Sequence, residues 1–432
     1  MDTPNPQSQP QAEPDTAPPS QEKPAAPARV DGGLRAWLTI LGGWICLFCT
    51  FGYSNAFGVY QDLYTRDGAA SASRVSWVGS VQLFFLVGMG LPAGKLLDMG
   101  YFRQTILAGS LLYVFSLFML SLAHVDKYYQ IFLSQGLGMG IGGGLIYLPA
   151  VAIQAHHWQA RRAFAIGIVF TGGSIGGIIF PIMLNQLFHN SVGFAWGVRA
   201  SAFLILGLLV IANLIMSPRP PGTGKPPGGQ AAPSGLAGMA RDVPFLLVIF
   251  GAFCVNWGLF FPYFYIQLYS ILHGAGVTFS FYTLAIMNGA SILGRTIPNF
   301  LADTVGPFNN FVPACLGPGI MLFALLGIRS TAGIVVFAII YGFFTGAFVS
   351  LLAPTIATLT ANKGEIGLRM GVAFFLTSFG SLFGTPVQGA LLGTTFTWSR
   401  PIIFSAVMSV AGTVGVGIAR QMVARRKGSQ VV

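Results

Sequence analysis

Twelve apolar runs of about twenty residues each constrain this 432-residue chain more than any other feature. They fall near 37–60, 76–97, 104–123, 128–150, 162–184 and 197–217, and again near 243–268, 278–302, 311–328, 333–356, 369–392 and 401–420. A helix of that length crosses the hydrocarbon layer of a bilayer. No water reaches the backbone there, so a crossing segment must satisfy its own N–H and C=O groups, as a helix does. The ninth run is the shortest and is interrupted by Pro313, Gly317, Pro318 and Gly319. Composition agrees with a lipid-facing surface: 53% of residues are hydrophobic and only 8% charged, where a soluble domain carries roughly a quarter charged residues. The expected fold is an all-α membrane protein with twelve transmembrane helices in two six-helix bundles.

The division into two follows from the break after the sixth run. Its sequence, SPRPPGTGKPPGGQAAPSGLAGMAR, is the Pro/Gly-rich composition of a flexible linker. The expected units are a disordered tail over 1–35, a first bundle over 36–217, the linker over 218–241, a second bundle over 242–420 and a basic tail over 421–432. The tail over 1–30 is rich in Pro, Gln and Ala and lacks the pattern of a cleaved secretory signal.

The net charge of +11 is parcelled into short loops. That distribution argues against nucleic acid, which needs a basic face. With the amino terminus in the cytosol, cytosolic segments hold sixteen Lys and Arg, among them Arg161, Arg162 and the Arg425–Arg426–Lys427 cluster, against six outside. Both termini are therefore expected in the cytosol of a multi-pass membrane protein. Cys46, Cys49, Cys254 and Cys315 lie in apolar runs with no metal-ligand spacing, and no metal or other cofactor is expected.

A short pattern repeats. GKLLDMGYFR follows the second run and NFLADTVGPFN follows the eighth, aligned on Asp98 and Asp303. Both copies have Leu two residues before the Asp; Gly100 stands two residues after it and Gly306 three. The equivalent position in each half is what a duplicated six-span unit predicts. An Asp there suits capping of a neighbouring helix end and pairing with nearby charges, so Asp98, Arg103, Asp303, Arg161 and Arg162 are the candidate gating residues.

Of the acidic residues, none falls deep inside a run. Arg295 does: it lies eight residues before Asp303, or about 12 Å along a helix. A charge inside the membrane points to function, with an anionic or strongly polar substrate, or carbonyl oxygens, as its counterpart. Asn288, Ser291 and Arg295 share one helix face and form the first candidate for a substrate path. Tyr53, Asn55, Asn256 and Tyr263 are further polar residues within runs and join the candidate binding set. Thr171, Gly172, Gly173, Gly176 and Gly177 suit close helix packing instead. His156 and His157 stand beside Arg161 and Arg162 and fit a solvated loop; no other cluster suits an enzyme's chemistry.

Twelve spans, a central linker and the repeated loop pattern resemble the major facilitator superfamily. Within it, DGGLRAW at 31–37, RRAFAIGIVFTGGSIGGIIFP at 161–181 and the Trp196–Arg199 segment are similar to fungal monocarboxylate porters. The resemblance implies a secondary transporter working by alternating access. Arg295 matches the family's substrate-carboxylate arginine, whereas Asn55 and Ser291 stand where carboxylate-coupled members have Lys and Asp. Asn299 replaces the usual Gly of the second loop copy. The fifth run lacks the Gly-Pro pair of drug–proton antiporters. That absence argues against a multidrug antiporter, and the Asn55 and Ser291 departures favour efflux of a fungal secondary metabolite over proton-linked uptake of a monocarboxylate or vitamin; a membrane sensor or enzyme is the reading from another class. The expected partners are a small organic solute, the lipid bilayer and, as a candidate coupling ion, protons, with the chain a monomer.

Overall fold

A computed structural model of the chain describes residues 31–66, 72–190, 192–218, 235–360, 365–393 and 396–432. The expected tail at 1–30 and most of the linker, 219–234, lie outside the described residues. Among those described are twelve helical segments long and apolar enough to cross a membrane: Leu34–Tyr64, Arg74–Asp98, Phe102–Leu122, Tyr128–His157, Arg162–Phe188, Gly193–Ile215, Val243–Leu272, Val277–Val305, Pro307–Leu325, Thr331–Thr358, Ile366–Leu392 and Ser399–Lys427. They are called spans 1 to 12 below.

The spans follow the apolar runs, and their ends differ for identifiable reasons. Span 9 starts at Pro307, four residues before the expected 311. Gly306 takes a φ of 101°, which turns the chain, and Pro307 occupies the first helical position, where a missing N–H is harmless. Its internal Pro313 and Pro318 are accommodated, as prolines are where neighbouring helices pack closely. Span 12 continues past 420 through Arg425, Arg426 and Lys427, cations that suit the negative end of a helix, and stops at Gly428 in the left-handed conformation. His156 and His157 close span 4; His156 is exposed, whereas His157, expected in a solvated loop, is buried with Nε2 2.8 Å from the Ser217 carbonyl oxygen. Spans 1 and 4 each contain a π-helical stretch, at Phe48–Gly52 and Phe132–Met139. Span 7 breaks at Phe260, before Pro262.

Packing repeats between the halves. Span 1 packs on 5 and 6, 2 on 4, and 3 on 4 and 6; likewise 7 packs on 11 and 12, 8 on 10, and 9 on 10 and 12. The halves meet chiefly through span 2 on span 11 and span 5 on span 8. Adding six to each span number turns one of these contacts into the other, which is the mark of pseudo-two-fold symmetry. The glycines of span 5 allow a close approach within the first half: a Cβ on Gly172 would lie 2.2 Å from the Trp44 carbonyl oxygen. Gly172→Val must therefore push span 1 away, and overpacking of this kind destabilises by about 1–3 kcal/mol. A lowered unfolding temperature of the detergent-solubilised variant is the expected result.

Candidate functional site

At the end of the bundle carrying the termini, two aspartates tie the halves together. Asp98, closing span 2, accepts hydrogen bonds from the Gly367 and Leu368 amides at 3.0 and 2.7 Å. Asp303, near the end of span 8, accepts from the Ala163 and Phe164 amides, both at 2.9 Å. Those N–H groups belong to the first turns of spans 11 and 5, where the helix itself offers them no acceptor. A carboxylate is the favoured partner there. The aspartates thus cap helices of the opposite half, as the repeated pattern suggested, through backbone amides rather than the expected basic side chains. Arg103 is exposed and, among the described residues, makes no hydrogen bond or ion pair. Arg161 is exposed as well, while Arg162 is half-buried within electrostatic reach of Asp303 and Asp31.

A second layer of contacts was missed from the sequence. Asp31, just before span 1, accepts from the amides of Gln159 and Ala160 in the loop leading to span 5, the latter at 3.0 Å. Trp37 packs edge-on against Trp158, centroids 5.4 Å apart. Asp242, just before span 7, pairs with the buried Arg369 at 3.0 Å and with Arg426 at 3.2 Å. Arg369 also donates to the Leu359 carbonyl and lies over the Phe245 ring. An Asp immediately before the first span of each half was the available signal. Where the second loop copy lacks a basic residue, the chain's last residues fold in: the Phe308 amide donates to the Val432 carbonyl, and Arg420 Nε to Asn309 Oδ1 at 2.8 Å.

Between the halves, the polar face of span 8 lies against span 5. From the termini side inward, Gly167 touches Asn299, Arg295 Nη1 donates to the Phe170 carbonyl, Ser174 and Ser291 share a hydrogen bond of 2.6 Å, and Asn288 Nδ2 donates to the Gly177 carbonyl at 3.3 Å. Arg295 is only 2% exposed. Its guanidinium lies 5.4 Å from the Phe51 ring centroid and 5.9 Å from that of Phe170, and Tyr263 and Tyr147 are within its electrostatic reach. Tyr147 in turn packs on Phe51, Phe170 and Phe374. Asn299, replacing the usual Gly, donates to the Arg295 carbonyl and to Ser350, fixing this turn against span 10.

The expected binding set does not gather at one place. Asn288, Ser291 and Arg295 line the span 5–span 8 seam. Asn55 lies beside Gly177 and lines a cavity of about 30 Å³ with Pro181, Gln267, Phe281 and Leu284. Tyr263 hydrogen-bonds Thr345 at 3.1 Å, at the edge of the group around Arg295. Tyr53 points elsewhere: it is buried inside the first half, bonded to Tyr60 and Ser201, because the π-helical stretch before it rotates the span. Asn256 packs by Gly380 of span 11 within the second half.

Two substitutions compare the contacts at the termini-bearing end. Asp303→Ala removes a helix cap, a change that typically lowers stability by about 1 kcal/mol. Asp242→Ala strands Arg369 in a buried position, and breaking a buried pair lowers it by roughly 3–5 kcal/mol. Thermal unfolding in detergent is expected to rank Asp242→Ala as the more damaging.

Comparison with known proteins fits this architecture. The family model for the Major Facilitator Superfamily matches residues 43–364. The chain is 40% identical to the aspyridones efflux protein apdF of Emericella nidulans over 89% of its own length and 77% of that protein. It is 37% identical to the fujikurins efflux protein of Gibberella fujikuroi, over 89% and 82% of the two chains. It is 41% identical to MFS-type transporter 1 of an Ophiocordyceps species, over 84% and 80%. In fold it resembles the crystal structure of the transporter FucP in the outward conformation, with a TM-score of 0.68 at 16% identity, covering 88% of this chain and 98% of that one. With its duplicated six-span halves and its match across both, the chain belongs to the major facilitator superfamily.

Proposed function

We propose that this transporter exports a small organic solute, a fungal secondary metabolite, by alternating access, with both termini in the cytosol. Similarity to named efflux proteins supports the direction and cargo class. The observation that carries the reading is the environment of Arg295. It is buried where the two halves meet, and among the described residues no carboxylate pairs with it. In the closed seam the Phe170 carbonyl and two rings meet its charge. Rocking spans 5 and 8 apart on the cytosolic side takes that carbonyl away. The uncovered cation then needs an anionic or strongly polar partner, which the cargo supplies. The cytosolic seam closes, with Asp98 and Asp303 recapping spans 11 and 5 as gating residues, before the far side opens and releases the cargo. Asn55 and Ser291 supply no titrating group beside Arg295, so proton-linked uptake of a monocarboxylate lacks its relay.

Flux measurements in membrane vesicles, with a panel of acidic fungal metabolites, test this reading. Arg295→Ala is expected to lower export of accepted solutes by about tenfold or more, since hydrogen bonds to a charged group are lost. Arg295→Lys is expected to recover only part of it, because a point charge does not reproduce the planar fork. Unchanged flux of every accepted solute in Arg295→Ala rejects the site, and net solute movement in the same direction as the proton gradient favours the uptake reading.

A further inference from the structure

Two buried polar atoms without partners lie close to Gly177, one of them on Asn55, which lines the small cavity with that glycine. Asn288 is fully buried, and its Nδ2 donates to the carbonyls of Leu284 at 3.1 Å and Gly177 at 3.3 Å. Two acceptors on that side fix the orientation of the amide, because its oxygen has no hydrogen to offer them. Oδ1 is thereby turned away from both and is left bare. Nearby, Asn55 Nδ2 is also buried and unpartnered. The two atoms converge on Gly177: a Cβ there would lie 2.7 Å from Asn55 Nδ2 and 3.0 Å from Asn288 Oδ1. Buried polar atoms are nearly always paired. Here a bare donor and a bare acceptor close on the same glycine without bonding each other, and the cavity lined by Asn55 and Gly177 adjoins them.

We infer that Asn55, Gly177 and Asn288 form a subsite for a neutral group of the cargo that both accepts and donates a hydrogen bond, such as a hydroxyl or a secondary amide. The group accepts from Asn55 Nδ2 and donates to Asn288 Oδ1. A carboxylate has no hydrogen for Oδ1, and an ammonium has no lone pair for Nδ2, so the pair selects against both. Asn288 lies seven residues along span 8 from Arg295, about 10 Å on the helix axis. The inference rests on the reading of Arg295 as the cargo's anionic anchor, and it narrows the cargo to an acid with a hydroxyl or amide at about that distance from its acidic group.

The probes are 8-hydroxyoctanoate, whose extended chain spans a similar length, and octanoate, which lacks only the hydroxyl. Affinity for each is measured by tryptophan fluorescence on the full-length purified protein. The wild type is expected to prefer the hydroxylated acid by about tenfold or more, as sites built to hydrogen-bond a hydroxyl do. Asn288→Leu and Gly177→Ala are expected to bring that ratio close to one. Gly177→Ala guards against a folding defect, because its Cβ meets only the ends of the Asn55 and Asn288 side chains. Arg295→Gln is expected to weaken both acids and preserve the ratio. Equal wild-type affinities, failure to bind either acid, or a ratio that survives Gly177→Ala and Asn288→Leu overturns the subsite. Arg295→Gln leaving both affinities unchanged rejects the anionic anchor instead, with the ratio still reporting on the subsite.

Discussion

The first turns of spans 5 and 11 expose backbone N–H groups that no residue of their own helix can satisfy. Each takes its acceptor from the other half: Asp303 serves span 5 and Asp98 serves span 11. The rest of the arrangement depends on this exchange. It closes the end that carries the termini, it relates spans 2 and 11 to spans 8 and 5 by symmetry, and it brings the polar face of span 8 against span 5. A hydrogen-bonded carboxylate is a directional and breakable contact, unlike the apolar packing inside each half. It suits a joint that must separate and re-form during a transport cycle.

The seam that continues from Asp303 links closure to cargo. Arg295, Ser291 and Asn288 find partners on Phe170, Ser174 and Gly177 in the same order. Each contact uses a backbone carbonyl or a hydroxyl of span 5, so parting the helices on the termini side breaks the Arg295 contact ahead of the Asn288 contact farther along. Arg295, whose Nε already lacks a partner in the closed seam, then loses the carbonyl that its Nη1 holds. In the proposed mechanism this is why one residue can help hold the closed state and also bind cargo. The asparagine pair farther along the seam adds selection by a neutral group, separated from the charge by about two helical turns.

Much of the fold was legible because each span carries its own signal. Length and apolarity identify a crossing helix without reference to any neighbour, so even the interrupted ninth run was found, shifted only where Gly306 and Pro307 set its start. The paired loops were legible because duplication left Asp98 and Asp303 at equivalent places. Arg295 stood out because a charge inside an apolar run conflicts with its surroundings. Other features left weaker traces. The partners of Asp31 and Asp242 are far away in sequence. The turn of span 1 that carries Tyr53 inward depends on a π-helical stretch with no distinct composition. Arg103 fitted the pattern around Asp98, yet that carboxylate turned to backbone amides.

The sequence by itself determined the twelve crossings, their division into related halves and the presence of Arg295 deep within a span, because these follow from how each segment partitions between water and hydrocarbon. Only the tertiary structure decided which polar groups meet. A helix face is readable from spacing, but the element it packs against is chosen by helix crossing and by close approach at glycines. That choice placed Arg295 against a carbonyl of span 5, Arg369 beside Asp242, and Asn55 with Asn288 close against Gly177.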